Sequence, residues 1–109
     1  MLKLNDPTLL KDACLVNGAW VQATSGDVTE VTNPATGAVV GTVPTMSPDE
    51  IPAVIEASRV AQLDWAQWAA AERSAVLRKW FELMMANADD LALIMTSEQG
   101  KPLAEAKAP

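Results

Sequence analysis

Two hydrophobic rhythms divide this chain, and they meet near Ser47. Before Ser47 the apolar residues fall in short runs rich in β-branched side chains, separated by turn formers, which predicts short strands. Leu15 to Val21 holds Asn17-Gly18 between apolar flanks, the strongest short hairpin signal. Val28 to Thr32 alternates. Asn33-Pro34-Ala35-Thr36-Gly37 then supplies a side chain that bonds its own backbone, a fixed φ and a residue that tolerates positive φ. Val39 to Val43 reads as the return strand, stopped by Pro44.

After Ser47 the period lengthens to that of a helix. Ser47-Pro48-Asp49-Glu50 has the form of a capping box. Pro52 is better accommodated if the helix starts at Asp49. Ile51, Val54, Ile55, Ser58, Ala61, Gln62 and Trp65 form one stripe; Val76, Leu77, Trp80, Leu83, Met84 and Ala88 form another. The two are out of phase across Asp64 to Ala71, so the chain must break there. Asn87, Asp89 and Asp90 can cap a third helix carrying Leu91, Ile94 and Met95. Gly100 ends it and Pro102 opens a fourth helical pattern, which runs into the last residue, Pro109. The expectation is an α+β fragment of a longer protein: a strand segment over 1–47, with antiparallel strands, then three or four helices over 48–109.

Composition narrows the function. Half of the 109 residues are apolar and a fifth are charged, which excludes general disorder. The net charge is −6, and the acidic excess is spread along the chain. With no basic stripe to neutralise phosphates, neither nucleic acid nor an anionic membrane is an expected partner. No apolar run approaches the roughly 20 residues of a membrane span, and charge comes too early for a signal peptide. Cys14 is alone, which suits a reducing cytoplasm and rules out an internal disulfide. There is no histidine, the commonest general base near neutral pH. Trp20, Trp65, Trp68, Trp80 and Phe81 are a heavy apolar load for short strands and helices to cover. They suit a layer that presses on a larger body.

Several blocks in order carry a resemblance. They are Val16-Asn17-Gly18-Ala19-Trp20, Val31-Thr32-Asn33-Pro34-Ala35-Thr36-Gly37, Gly41-Thr42-Val43-Pro44, Trp65, Glu72-Arg73, Leu77-Arg78-Lys79-Trp80-Phe81, and the run from Leu91 to Ala106 with Glu98-Gln99-Gly100-Lys101-Pro102 at its centre. Together they resemble the N-terminal part of the aldehyde dehydrogenase superfamily, and among its members the bacterial NAD(P)-dependent succinate-semialdehyde dehydrogenases. The resemblance covers essentially the whole chain. It implies that residues 48–109 begin a truncated cofactor-binding domain, and that the full-length relative oxidises succinate semialdehyde to succinate with NAD or NADP. In that family a Cys attacks the aldehyde, hydride leaves the thiohemiacetal to give a thioester, and a Glu-activated water hydrolyses it. Those residues and the main cofactor contacts lie beyond position 109 in the family. No catalytic and no cofactor-binding residue is therefore assigned here, and the chain alone is expected to be inactive and to need no nicotinamide.

The resemblance implies one site on this chain. In some relatives a carboxylate and a backbone carbonyl before the Asn-Pro turn help to hold a monovalent cation; carried over, these are the Glu98 side chain and the Thr32 carbonyl. The plainer reading of Glu98 is a solvated residue of a last helical turn. Cys14 does not match the family's nucleophile and has only Lys11 as a basic neighbour, so a structural role is expected. Gly100-Lys101-Pro102 lacks the glycine spacing of a phosphate loop and reads as a connector. Glu72-Arg73 and Arg78-Lys79 read as solvated faces, with Glu72 free to pair locally. One departure stands out. Many relatives have Ser or Thr where this chain has Ala69, and a lost cap there costs about 1 kcal/mol. The expected partners are the remainder of the enzyme chain or a second copy. The alternative function is a stand-alone interaction module derived from such an enzyme.

Overall fold

The computed structural model describes residues 2–108. A short 3-10 turn, Pro7–Leu9, is capped by Asp6, whose carboxylate accepts the Thr8 N–H at 3.0 Å. Four strands follow: β1 Cys14–Val16, β2 Ala19–Val21, β3 Val28–Thr32 and β4 Val39–Pro44. Then come four helices: α1 Ile51–Trp65, α2 Ala70–Ala86, α3 Ala88–Gln99 and α4 Leu103–Ala106. The strands make two separate antiparallel pairs, β1 with β2 and β3 with β4.

Local chemistry explains both hairpins. Asn17 and Gly18 both have positive φ, 49° and 79°, the backbone of a type I′ turn whose twist matches the flanking strands. In the second hairpin the Asn33 side chain accepts the Ala35 N–H at 2.9 Å, and its carbonyl accepts the Gly37 N–H at 2.8 Å. β4 runs through Pro44, one residue past the expected stop. Pro44 sits at the end of the ladder opposite Val28, where a missing donor costs little.

The helix starts differ from the sequence reading. α1 begins at Ile51 after a turn. Only half of the expected capping box forms there: the Glu50 carboxylate accepts the Ser47 N–H at 2.9 Å. Pro52 falls in the first turn of this helix, where its missing N–H costs nothing. Asn87 does not cap α3. Its side-chain amide donates to the Leu83 carbonyl at 2.8 Å and so closes the end of α2. Asp89 pairs with Lys107 at 2.8 Å, and Asp90 turns inward. The break between α1 and α2 lies at Ala66–Ala69, within the expected window.

Tertiary closure is slight. Among the described residues the buried apolar side chains are two alanines, Ala23 and Ala92. The surface area is 8156 Å², against about 5,800 Å² for a compact protein of 11.6 kDa. The radius of gyration is 16.6 Å, against about 13 Å for a compact chain of this length. The chain is a plate, 46 × 36 × 20 Å, with the rings of Trp20, Trp68, Trp80 and Phe81 exposed.

Candidate functional site

The two residues implied as cation ligands lie on elements that the fold brings together. Thr32 is the last residue of β3, at an irregularity in the ladder just before the Asn33-Pro34 turn. Glu98 is in the last turn of α3, is exposed, and forms no ion pair among the described residues. α3 packs on β3. The contact is close at its C-terminal end: Gly100 has φ 82°, and a Cβ there would lie 3.1 Å from Pro34 Cγ. Gly100 thus sets the end of α3 directly against the turn that follows Thr32, and its N–H donates to the Thr96 carbonyl at 2.9 Å. Among the described residues no group of three or more His, Cys, Asp or Glu side chains could hold a metal. Any cation here would rest on carbonyl and carboxylate oxygen, a ligand set that suits hard cations.

The other sequence candidates stay apart. Cys14 is a half-buried free thiol on β1, opposite Val21. The Lys11 ammonium, its one basic neighbour in sequence, lies 5.0 Å from the centre of the Trp20 ring. Lys101 sits in the short connector before α4, a single turn of four residues. Nothing there forms a phosphate cradle. Glu72 forms no ion pair among the described residues; its carboxylate accepts the Ala69 N–H at 3.0 Å. Arg73 is only partly solvated. It is half-buried, and its Nε is shielded from solvent without a partner.

Two carboxylates that the sequence read only as local helix caps organise the chain. Asp90 is 4% exposed and accepts the main-chain N–H groups of Asn5 at 2.9 Å and Asp6 at 2.8 Å. Glu50 accepts the Thr24 N–H at 2.7 Å as well as that of Ser47. The Thr24 hydroxyl, with these two N–H groups, holds the Glu50 carboxyl down to a pKa of about 2. The sequence reading gave both positions only local capping roles; their distant partners lie 26 and about 85 residues away in sequence.

Open apolar faces dominate the remaining surface. A groove of about 460 Å³ between α2, α3 and α4 is lined by Phe81, Met84, Met85, Leu91 and Met95. No helix among the described residues is long and apolar enough to cross a membrane. A fold of two small hairpins and four helices with almost no interior is one layer of a larger architecture. Comparison with known proteins shows which. The pattern that defines the Aldehyde dehydrogenase family matches residues 20–109, and the chain belongs to that family.

Within the family, the chain is similar to enzymes acting on semialdehydes. It is 53% identical over 106 residues to the glutarate-semialdehyde dehydrogenase of Pseudomonas putida, covering 97% of this chain and 22% of that protein. It is 51% identical over 106 residues to the NADP(+) succinate-semialdehyde dehydrogenase of Escherichia coli, with the same coverage. An aldehyde dehydrogenase crystal structure from Brucella melitensis biovar abortus superposes with a TM-score of 0.94 at 60% identity, over 98% of this chain and 22% of that one. The chain therefore spans about a fifth of the length of the relatives it matches, and its strands and helices are part of the aldehyde dehydrogenase fold.

Proposed function

We infer that this chain is the N-terminal segment of an NAD(P)-dependent aldehyde dehydrogenase that oxidises succinate semialdehyde to succinate in the cytoplasm, and that it is inactive by itself. The observation that carries the reading is the near-complete match of this chain to one fifth of two semialdehyde dehydrogenases. In this reading residues 1–47 are a strand segment and residues 48–109 open the cofactor-binding domain. The remainder of the enzyme lies on the exposed faces of α1 and α2.

The residues present do not fit a nicotinamide cofactor. The described residues offer no glycine-rich loop leading from a strand into a helix, and the groove beside α3 is lined by apolar side chains. Cofactor binding and the chemical steps are assigned to other segments of the full-length enzyme. What this chain contributes is a rigid corner, where Gly100 packs on Pro34. In this reading the Thr32 carbonyl and the Glu98 carboxylate, carried by elements that pack together, serve as two ligands of a monovalent cation, with further ligands from outside the chain.

A fusion tests the reading. Residues 1–109 replace the matching segment of the Escherichia coli relative, and the product is assayed with succinate semialdehyde and either nicotinamide. A soluble fusion that turns over is expected, and a folded but inactive fusion counts against the reading. The 109-residue chain alone should show no turnover, before or after Cys14→Ser. In the active fusion, potassium in place of tetramethylammonium should raise the melting midpoint, and Glu98→Gln should remove that increment. An increment that survives Glu98→Gln refutes the cation assignment.

The second reading, a stand-alone interaction module, draws on the exposed apolar faces. A compact, functional complex of the 109-residue chain with an unrelated protein would favour it over the enzyme segment.

A further inference from the structure

At four of the five glycines of this chain a side chain would meet open space: a Cβ on Gly18, Gly26, Gly37 or Gly41 finds no atom within 4 Å. Gly100 is the exception. A Cβ there would lie 3.1 Å from Pro34 Cγ, inside ordinary carbon–carbon contact, and its φ of 82° makes the left-handed turn that ends α3. A missing side chain at residue 100 is what lets the end of α3 come up to the Pro34 ring. Both partners are stiff. Proline fixes its own φ, and the turn around it is closed by Asn33, whose N–H donates to the Ala38 carbonyl at 2.8 Å and whose carbonyl accepts the Gly37 N–H at 2.8 Å. On the helix side the Gly100 N–H donates to the Thr96 carbonyl at 2.9 Å, and the hydroxyl of buried Ser97 donates to the Leu93 carbonyl at 2.7 Å.

The implied cation ligands stand in the same relation to this contact. Thr32 lies two residues before Pro34, and Glu98 two residues before Gly100. Among the described residues no hydrogen bond or ion pair joins α3 to β3 or to the turn after it, so packing sets their spacing. A site of carbonyl and carboxylate oxygens selects its cation by cavity size and rigidity, which makes that spacing matter. We propose that Gly100 and Pro34 are positioning residues for the cation: their contact sets the separation of the Thr32 carbonyl from the Glu98 carboxylate, and a side chain at residue 100 weakens cation binding as well as the fold. This role rests on the reading of Thr32 and Glu98 as ligands in the full-length enzyme, and the two can fail separately.

Melting of the fusion of residues 1–109 to the Escherichia coli relative tests it, with potassium replacing tetramethylammonium at constant chloride. A ligand stabilises once its concentration passes the dissociation constant, so the potassium concentration at which the melting midpoint starts to rise reports affinity. Gly100→Ala should move that onset up several-fold. Gly100→Asn adds the same Cβ on a residue that tolerates positive φ, and should move the onset likewise even if the alanine variant fails to fold. Adding Pro34→Ala to either variant removes the atom that the new Cβ meets and should bring the onset back, while the midpoint without potassium stays below wild type through the strained φ. A glycine with a structural role only would lower the midpoint equally at every potassium concentration and leave the onset unmoved. That result overturns the proposal, as does an onset that Pro34→Ala fails to restore. A wild-type fusion whose midpoint ignores potassium refutes the cation reading and this role with it.

Discussion

The buried carboxylate of Asp90 accepts the main-chain N–H of Asn5 at 2.9 Å, across 85 positions of sequence. The Asn5 amide adds a second bond at 3.2 Å and the Asp6 N–H a third at 2.8 Å. This one side chain pins the start of the chain to the first turn of α3. Asp90→Ala should leave these donors unpaired and cost about 1–3 kcal/mol. Hydrogen exchange at residues 2–10 should accelerate far more than in the rest of α3, and trypsin should cut sooner after Lys3 and Lys11. Unchanged protection of Asn5 and Asp6 would show that the N-terminal segment is held by something else.

Acid should loosen the join between the strand segment and α1. The Glu50 carboxyl sits at about 2, below its ordinary 4.5, because the Thr24 hydroxyl and the Ser47 and Thr24 N–H groups stabilise the charged form. A group lowered on folding adds stability above its unfolded value, and that stability fades as pH falls from about 4.5 toward about 2. Glu50→Gln should therefore flatten the dependence of the melting midpoint on pH in that window. A variant whose acid limb still overlays the wild type would remove Glu50 from the account.

Gly100→Ala should destabilise through two separable causes. Its φ of 82° costs an alanine about 1–2 kcal/mol. The new Cβ would also meet Pro34 Cγ at 3.1 Å. Repeating the substitution in a Pro34→Ala background should recover the contact part and leave the backbone part. Equal losses in both backgrounds would mean that the turn yields freely.

Ala69→Ser should stabilise α2. Residue 69 already has the extended backbone of a cap, φ −60° and ψ 147°, and Glu72 already accepts its N–H. The serine hydroxyl completes the reciprocal box, for a gain of about 1 kcal/mol read from thermal melts. No gain would mean that the first turn of α2 finds its acceptors elsewhere.

Much of this protein was legible along the chain because the signals are local. Asn17-Gly18 favours the left-handed pair of residues that it adopts here, and Asn33-Pro34-Ala35-Thr36-Gly37 closes on its own side chain and carbonyl. The phase slip across Asp64 to Ala71 follows from the 3.6-residue period alone, and Gly100 ends α3 by backbone freedom. The blocks from Val16 to Ala106, by their order and spacing together, were enough to reveal the family. Tertiary structure decided what each polar side chain does once distant segments meet. Asp90, a helix cap by position, became the clamp on Asn5, and Glu50 reached past Ser47 to Thr24. Arg73 became half-buried, with its Nε shielded from solvent. The sequence also could not say which rings are covered. A helical stripe records that Trp80 needs an apolar neighbour, but burial depends on whether another surface arrives, and within these residues none does.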